Sequence, residues 1–277
     1  LCRELVGRHA MDQEAAERLA GFLEQQRAAT RCATPHRRHL VVERPTDFLG
    51  PTESRQLVLH TLWGGKVNRP AALVLGEAWR ERHGTRIECF ADNDGILVIA
   101  PREVGAPEIL ALLDPDRFRP LLRKGLESTG IFGARFRENA ARALLLPSSL
   151  RKRMPLWLNR KRARSLMEAV LRTPDFPILL ETWRSCMEEE LDVDSAVRLL
   201  DEIRSGAIRV TEVTTRAPSP FCDSLVYRQT NKYMYEGDEP AGGAVSGLSD
   251  ELIRDFLAGS RLALAIEPGL VAAFEAK

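Results

Sequence analysis

Basic side chains are concentrated in the middle of the chain, where they could bind a polyanion. Between positions 117 and 164 the sequence has fourteen basic residues and two acidic ones, in a chain whose total net charge is only +1. Binding of such a block to a nucleic-acid backbone is favourable, because each phosphate that a basic side chain neutralises releases condensed counterions. The block therefore predicts a phosphate-binding surface. Its members are Arg117, Arg119, Arg123, Lys124, Arg135, Arg137, Arg142, Arg151, Lys152, Arg153, Arg160, Lys161, Arg162 and Arg164.

A loop triplet within this block, Arg151, Lys152 and Arg153, is the strongest candidate for phosphate contact. It precedes Pro155, and the neighbouring sequence contains no acidic residue that could pair with it. Cations without a local partner are available to phosphate oxygens, and their contacts make binding depend steeply on salt. We therefore predict that the triplet contacts a nucleic-acid backbone.

The helix predicted for residues 156–171 supplies a second set of candidates. Its apolar residues recur at helical spacing, which turns Lys161 and Arg164 towards solvent or a ligand. Trp157 lies among these cations, where its ring could stack on an unpaired base; a position in the core is the alternative for this side chain. We therefore predict nucleic-acid contacts from Trp157, Arg160, Lys161 and Arg164.

Some of the basic residues have an alternative interpretation, in which they form ion pairs within the protein instead of binding a phosphate. Arg135, Glu138 and Arg142 are three and four residues apart, the spacing at which helical side chains form ion pairs on a solvated face.

An acidic run at positions 188–194 could suggest a metal-dependent nuclease, but consecutive residues of a helix point in different directions. We therefore interpret the acidic run as a solvated face.

The sequence lacks the motifs of a molecular motor or a hydrolase. A phosphate loop needs spaced glycines and a hydroxyl residue after its lysine, whereas residues 64–66, Gly-Gly-Lys, are followed by Val67 and predict a strand-terminal turn. No G-x-S-x-G pattern marks a nucleophile. Cys32, His36 and His39 have ligand-like spacing, but adjacent arginines would repel a cation. We expect no catalytic residue, no metal and no cofactor in this chain.

Composition indicates a globular protein of the reducing cytosol. Hydrophobic residues occupy 44% of the 277 positions, yet the longest apolar runs are far shorter than the roughly 20 residues that span a bilayer. Five cysteines without a C-x-x-C pair fit a reducing compartment. The chain begins at Leu1 with a charged stretch, which indicates a fragment without a signal peptide. We predict a cytoplasmic location and no membrane association.

Local patterns predict an α+β fold. Residues 1–105 are predicted as an α+β part with an antiparallel sheet and flanking helices, and residues 106–277 as a mainly helical part of the same accessory domain. The turn Asp92-Asn93-Asp94-Gly95 indicates a hairpin, and the Gly-rich stretch 240–247 indicates a linker. The predicted helices cover residues 11–30, 71–83, 116–126, 134–146, 156–171, 178–190, 195–204 and 252–264, with a further short helix that Pro107 and Glu108 begin. The predicted strands cover 40–44, 56–62, 86–91, 96–100 and 208–213.

Several segments, taken in order, resemble one protein family. They are FRENAARALLLP at 136–147, PLW at 155–157, PDFPILLE at 174–181, PSPF at 218–221 and YMYEGDEP at 233–240, with EQQRAAT at 24–30, LVVER at 40–44 and VLH at 58–60 earlier in the chain. Jointly these segments resemble the large helicase-related (Lhr) proteins, which are superfamily 2 DExH-type helicases, in their DEAD/H-associated domain region. The likeness covers nearly the whole chain.

The resemblance implies a parent protein with two RecA-like motor domains and a winged helix upstream of this chain. Such a protein would bind ATP and Mg²⁺ in its motor domains, move 3'-5' along single-stranded DNA and unwind duplexes in DNA repair. This chain would be its accessory domain, with single-stranded or partially duplex DNA and the upstream domains as partners. The alternative is a structural or protein-interaction module that docks on the motor domains without contacting DNA.

Overall fold

One five-stranded sheet, covered by helices, organises the protein in this computed structural model, which describes residues 1–46, 55–146, 155–171, 173, 175–227 and 229. The strands are β1 (His39–Pro45), β2 (Arg55–His60), β3 (Glu88–Ala91), β4 (Gly95–Ala100) and β5 (Arg209–Thr215). Their order across the sheet is β3, β4, β2, β1, β5. The predicted α+β class is confirmed.

The sheet is mixed, which corrects the prediction of an antiparallel sheet. β1 pairs with β2, β2 with β4 and β3 with β4 in antiparallel fashion, as the hairpin signals indicated. β5 instead runs parallel to β1, with His39 opposite Arg209 and Pro45 opposite Thr215. A parallel pair needs a long crossover, and the chain between β1 and β5 supplies one through its helices. The strand predicted at 208–213 therefore joins the sheet of the first part.

The described helices are α1 (Cys2–His9), α2 (Gln13–Thr30), α3 (Gly65–His83), α4 (Ala106–Leu112), α5 (Pro115–Leu126), α6 (Gly130–Arg142), α7 (Leu156–Val170), α8 (Pro177–Arg184) and α9 (Val193–Arg204). A π-helical turn, Ser185–Glu190, extends α8, and a short 3₁₀ turn covers Pro220–Cys222. Among the described residues no helix is both long enough and apolar enough to cross a membrane.

Helix α3 begins six residues before the predicted start at residue 71. The Asn93 side chain accepts a hydrogen bond from the Gly65 backbone N–H at 3.0 Å and so caps this end of the helix. Asn68, the predicted cap, instead accepts from the Thr61 hydroxyl at 2.7 Å. The predicted end is confirmed, because Gly84 follows the helix with a φ of 68°.

Helix α6 also differs from the prediction at both ends. Helix α6 begins at Gly130 rather than at residue 134, because the Thr129 hydroxyl accepts from the Phe132 N–H at 3.2 Å. It ends at Arg142, before the predicted residue 146. The predicted linker at 240–247 and the predicted helix at 252–264 lie outside the described residues.

The main core lies between one face of the sheet and the helices that cover it. Its largest fully buried side chains include Trp79 of α3, Phe118 of α5, and Phe132 and Phe136 of α6. On the other sheet face, a smaller cluster joins strand residues to a segment that follows β5. Alternate strand residues thus enter two different cores. The smaller cluster consists of Val58, Leu97, Ile99, Cys222, Leu225 and Val226.

Candidate nucleic-acid interface

Helix α7 presents the predicted contact residues on an exposed face. Ala163 and Val170 are buried on its inner face, and α7 packs against α6. Arg160, Lys161 and Arg164 are all exposed. The apolar stripe expected from the sequence therefore forms the packed side of this helix and leaves the basic residues outside.

Trp157, in the first turn of α7, is 66% exposed, so the alternative that placed it in the core is wrong. An exposed tryptophan leaves much of an aromatic ring in contact with water, which is unfavourable unless a partner covers it. The ring stands on the same helix as Arg160 and Lys161. This combination of an aromatic ring and cations is typical of surfaces that bind single-stranded nucleic acid.

The basic residues of α7 differ in their ion pairing. Arg164 Nε donates to Glu168 Oε1 at 3.0 Å, and both side chains are well exposed, so this pair contributes little and a phosphate could replace the carboxylate. Arg160 and Lys161 form no ion pair with any residue that the structure describes. These two cations are thus available to an external anion.

On α5 three of the four basic residues contact carboxylates, and Arg123 forms no ion pair with a described residue. Arg117 and Lys124 both contact Glu81 of α3, and Arg119 contacts Asp194 of α9. Hydrogen bonds from Lys124 and Arg117 hold the pKa of Glu81 below its ordinary value, against a smaller opposing effect of burial. These partners lie far away in the sequence, so the pattern of residues could not predict them.

On α6 the predicted structural alternative is confirmed. Glu138 accepts hydrogen bonds from both Arg135 and Arg142 at 2.7 Å. Arg135 also contacts Glu190 of the π-helical turn. The basic block is therefore divided: five of the seven basic residues of α5 and α6 contact carboxylates, whereas Arg160 and Lys161 of α7 form no ion pair with a described residue.

The acidic run at 188–194 forms ion pairs and a helix cap rather than a metal site. Arg184 binds three carboxylates at 2.6 to 3.1 Å, those of Glu181, Glu188 and Glu189. Asp192 accepts from the Ser195 N–H at 3.0 Å and caps α9. Each carboxylate is thus held by a cation or a backbone N–H, which agrees with the interpretation of a solvated face.

The predicted triplet Arg151, Lys152 and Arg153 lies outside the described residues. Pro155 directly precedes α7, so the triplet is joined in sequence to the end of the helix that carries Trp157. Its contact with phosphate stays a prediction.

A second polar site, which sequence analysis missed, is buried around Glu43 of β1. Glu43 is 0% exposed and its Oε1 accepts from the Thr215 hydroxyl at 2.7 Å and from the Ser219 backbone N–H at 2.8 Å. Its Oε2 lies 2.8 Å from His60 Nε2 and also accepts from the Ser219 hydroxyl. We call Glu43, His60, Thr215, Ser219 and Cys222 the Glu43 cluster.

Cys222 and Gln26 extend this cluster. The Cys222 thiol donates to Glu43 Oε2 at 3.5 Å and lies 3.9 Å from His60 Nε2. Gln26 of α2 donates to the Ser219 hydroxyl and accepts from the Phe221 N–H, both at 2.9 Å. The cluster therefore joins α2, β1, β2 and the segment after β5.

The electrostatics of the Glu43 cluster favour a charged carboxylate and a neutral thiol. Burial raises the pKa of Glu43, but the hydrogen bond and charge of His60 and the hydroxyls of Ser219 and Thr215 lower it more, so the net pKa is below the ordinary value. Burial and the Glu43 charge raise the pKa of Cys222 well above that of a free thiol. Ser219 and His60 both bond the carboxylate, an arrangement unlike the serine–histidine relay of a hydrolase.

One sequence signal could have located this cluster. Glu43 follows Leu40, Val41 and Val42, and His60 follows Val58 and Leu59, so a polar side chain ends each apolar run. A polar group so placed must be paired when the strand is buried. The segments that resemble the Lhr family, at 24–30, 40–44, 58–60 and 218–221, meet at this cluster.

Comparisons with known proteins agree with the fold and the order of segments. Residues 34–222 match the family model described as DEAD/H associated. The chain is 36% identical to the Lhr helicase/probable uracil glycosylase of Mycolicibacterium smegmatis over 95% of its own length and 18% of that protein. It is 36% identical to the Lhr helicase/uracil glycosylase of Escherichia coli over 86% of its own length and 16% of that protein.

A solved structure, that of Mycobacterium smegmatis helicase Lhr bound to ssDNA and AMP-PNP, matches with a TM-score of 0.73 and 37% sequence identity. The match covers 81% of this chain and 28% of that one. The chain thus spans less than a fifth of the two curated relatives that it matches.

Proposed function

The chain belongs to the DEAD/H associated family, and we propose that it acts as a nucleic-acid-contacting accessory domain of an ATP-dependent DNA helicase. In this proposal the portions 1–105 and 106–277 act as one domain. The intact protein would move 3'-5' on single-stranded DNA, unwind duplexes and take part in DNA repair in the cytoplasm. ATP and Mg²⁺ would bind in upstream RecA-like domains, which, with a winged helix, would be the partners of this chain.

One observation carries the proposal: the exposed face of α7 combines Trp157 with Arg160 and Lys161, cations that are unpaired among the described residues. The similar Lhr structure is bound to ssDNA, which supports the proposal that a polyanion is the ligand of this chain. Cations on one helix face track a phosphate backbone, while an aromatic ring stacks on a base without sequence preference. In this proposal the surface binds a strand and contributes no catalytic residue.

In this proposal the residues of α7 have separate roles. Arg160 and Lys161 contact phosphates directly, and Arg164 exchanges Glu168 for a phosphate oxygen when the strand is present. Trp157 supplies a stacking surface at the start of the helix. The triplet at 151–153 adds further phosphate contacts before the helix begins. Each contact strengthens binding by releasing counterions.

Replacing Arg160 and Lys161 by Ala is expected to weaken single-stranded DNA binding by the 277-residue chain. The slope of log affinity against log salt should fall by about 0.7 for each phosphate that is no longer neutralised, so by about 1.4 for the double variant. Fluorescence anisotropy with a labelled oligonucleotide at several salt concentrations measures this slope.

A matched control is the pair Arg117→Ala and Lys124→Ala, which also removes two cations but takes them from Glu81. Both cations already contact the one carboxylate of Glu81, so the control should change the slope less than the α7 variant does. Equal effects of the two double variants, or no binding even at low salt, would contradict the assignment of phosphate binding to α7.

A second candidate function is supported by exposed leucines near α6 and α8. Leu144 is 81% exposed, Leu145 44% and Leu180 54%, and such residues favour a protein partner when they lie together. In this alternative the chain docks on the helicase motor domains and does not touch DNA. Mixing the chain with separately expressed motor domains discriminates, because the alternative requires a complex without DNA that Leu144→Asp disrupts and Arg160→Ala does not.

A further inference from the structure

Three potential metal ligands from separate parts of the chain meet in the Glu43 cluster. Glu43 Oε2 lies 2.8 Å from His60 Nε2 and 3.5 Å from Cys222 Sγ, and the sulfur lies 3.9 Å from the same nitrogen. Neighbouring ligand atoms of a tetrahedral zinc ion are about 3.3 to 3.8 Å apart, given bonds of about 2.0 to 2.3 Å. A point about 2 Å from all three atoms exists in the plane that they define. For tetrahedral coordination the oxygen and nitrogen must separate by about 0.5 Å, and the nitrogen and sulfur must approach by about 0.4 Å.

We propose that Glu43, His60 and Cys222 form a buried binding site for one divalent transition-metal ion, with zinc as the best fit. A carboxylate oxygen, an imidazole nitrogen and a thiolate are the three ligand types that Zn²⁺ accepts in proteins. The proposal does not depend on DNA binding by α7. It concerns a different region of the fold, where β1 and β2 meet the segment at 219–222.

Charge balance favours a divalent ion at this position. Binding of the ion would displace the Cys222 thiol proton to solvent, so that with Glu43 ionised and His60 neutral the three ligands carry two negative charges. A divalent cation neutralises them, which a buried site requires because an unpaired charge in a protein interior is costly. All three side chains are almost fully buried, at 0% for Glu43 and Cys222 and 1% for His60.

The second carboxylate oxygen is already held in the manner of a metal-ligating glutamate. Glu43 Oε1 accepts from the Thr215 hydroxyl and the Ser219 N–H, which leaves Oε2 directed at His60 and Cys222. Such outer hydrogen bonds orient a ligand and are typical of protein metal sites. The Ser219 hydroxyl lies 3.7 Å from Cys222 Sγ and contacts Glu43 Oε2, so it can provide the fourth ligand or hold a water there.

Metal binding would fasten the segment after β5 to the sheet. Glu43 and His60 lie on β1 and β2, and Cys222 follows them by more than 160 positions. An ion shared by the three would link these parts as a disulfide does, with the difference that it forms in a reducing compartment. The site is structural in this proposal, because it is closed to substrate.

Metal analysis of the protein that carries this chain tests the proposal. Protein expressed in zinc-supplemented medium is desalted and its zinc is measured by inductively coupled plasma mass spectrometry. Cys222→Ser should lower the zinc content by about one ion per chain. Cys186→Ser is the matched control, because Cys186 is equally buried but lies in the main core, and it should leave the content unchanged.

Cobalt substitution supplies a measurement on the unaltered protein. Growth with Co²⁺ should produce a thiolate-to-cobalt charge-transfer band in the near ultraviolet, which Cys222→Ser abolishes and Cys186→Ser retains. Unaltered protein that binds neither zinc nor cobalt would overturn the proposal, as would metal content and spectrum that are the same in Cys222→Ser. In that case the cluster is held by hydrogen bonds alone.

Discussion

Glu43→Ala is expected to lower the free energy of unfolding by about 3 to 5 kcal/mol, because several buried donors lose their acceptor and each costs about 1 to 3 kcal/mol. The substitution leaves His60, the Thr215 hydroxyl and the Ser219 N–H without their acceptor in a buried place. Unpaired buried donors are costly because they have lost their hydrogen bonds to water and gain no hydrogen bond in the protein. Urea unfolding followed by circular dichroism, with a chelator present, measures the change for the hydrogen-bonded cluster.

Glu138→Ala is the matched control for this prediction. Glu138 also accepts from two cationic side chains, Arg135 and Arg142, but its side chain is 40% exposed. Water can therefore replace the missing carboxylate as a partner of the two arginines, and the expected cost is below about 1 kcal/mol. Similar costs for the two substitutions would show that the Glu43 cluster does not hold the sheet to the segment after β5.

Trp157→Ala is expected to weaken single-stranded DNA binding by about 1 to 3 kcal/mol, or roughly 5- to 150-fold in affinity, if one base stacks on the ring. The side chain is largely exposed, so its removal should leave the stability of the fold within about 0.5 kcal/mol of its original value. Anisotropy titrations at fixed salt measure the affinity, and thermal unfolding measures the stability.

Two further variants distinguish stacking from a general reduction of apolar surface. Trp157→Phe retains an aromatic face and should restore most of the affinity. Tyr227→Ala removes another exposed aromatic ring, 47% exposed and outside α7, and should have little effect. A Trp157→Phe variant as weak as Trp157→Ala, or a Trp157→Ala variant with unchanged affinity, would contradict stacking.

Much of the fold was predictable because its signals are local. The apolar strands at 40–44 and 56–62, the hairpin turn at 92–95 and the stop at Gly84 correspond to β1, β2, the β3–β4 turn and the end of α3. Each signal depends on residues within one element or one turn. The start of α3 was missed because its cap, Asn93, lies 28 residues away from Gly65.

The candidate interface was predictable in part for the same reason. The 3.6-residue period of a helix was enough to place Lys161 and Arg164 on the exposed face of α7. The three- and four-residue spacing likewise predicted that Glu138 pairs with arginines on its own helix. The neutralisation of Arg117 and Lys124 by Glu81 was not predictable, because those partners are 36 and 43 residues apart. Tertiary packing thus gives five α5 and α6 cations carboxylate partners and leaves Arg160 and Lys161 of α7 without an ion pair among the described residues.

The amino-acid sequence alone was sufficient for the α+β class, the periodic faces of the helices and the family likeness, since each follows from spacing or from ordered segments. Only the tertiary structure paired β5 with β1 in parallel and brought Gln26, Glu43, His60 and Ser219 together. Contacts between residues separated by up to 193 positions depend on which elements become neighbours. That choice is made by burial of whole faces against one another, and no single segment contains it.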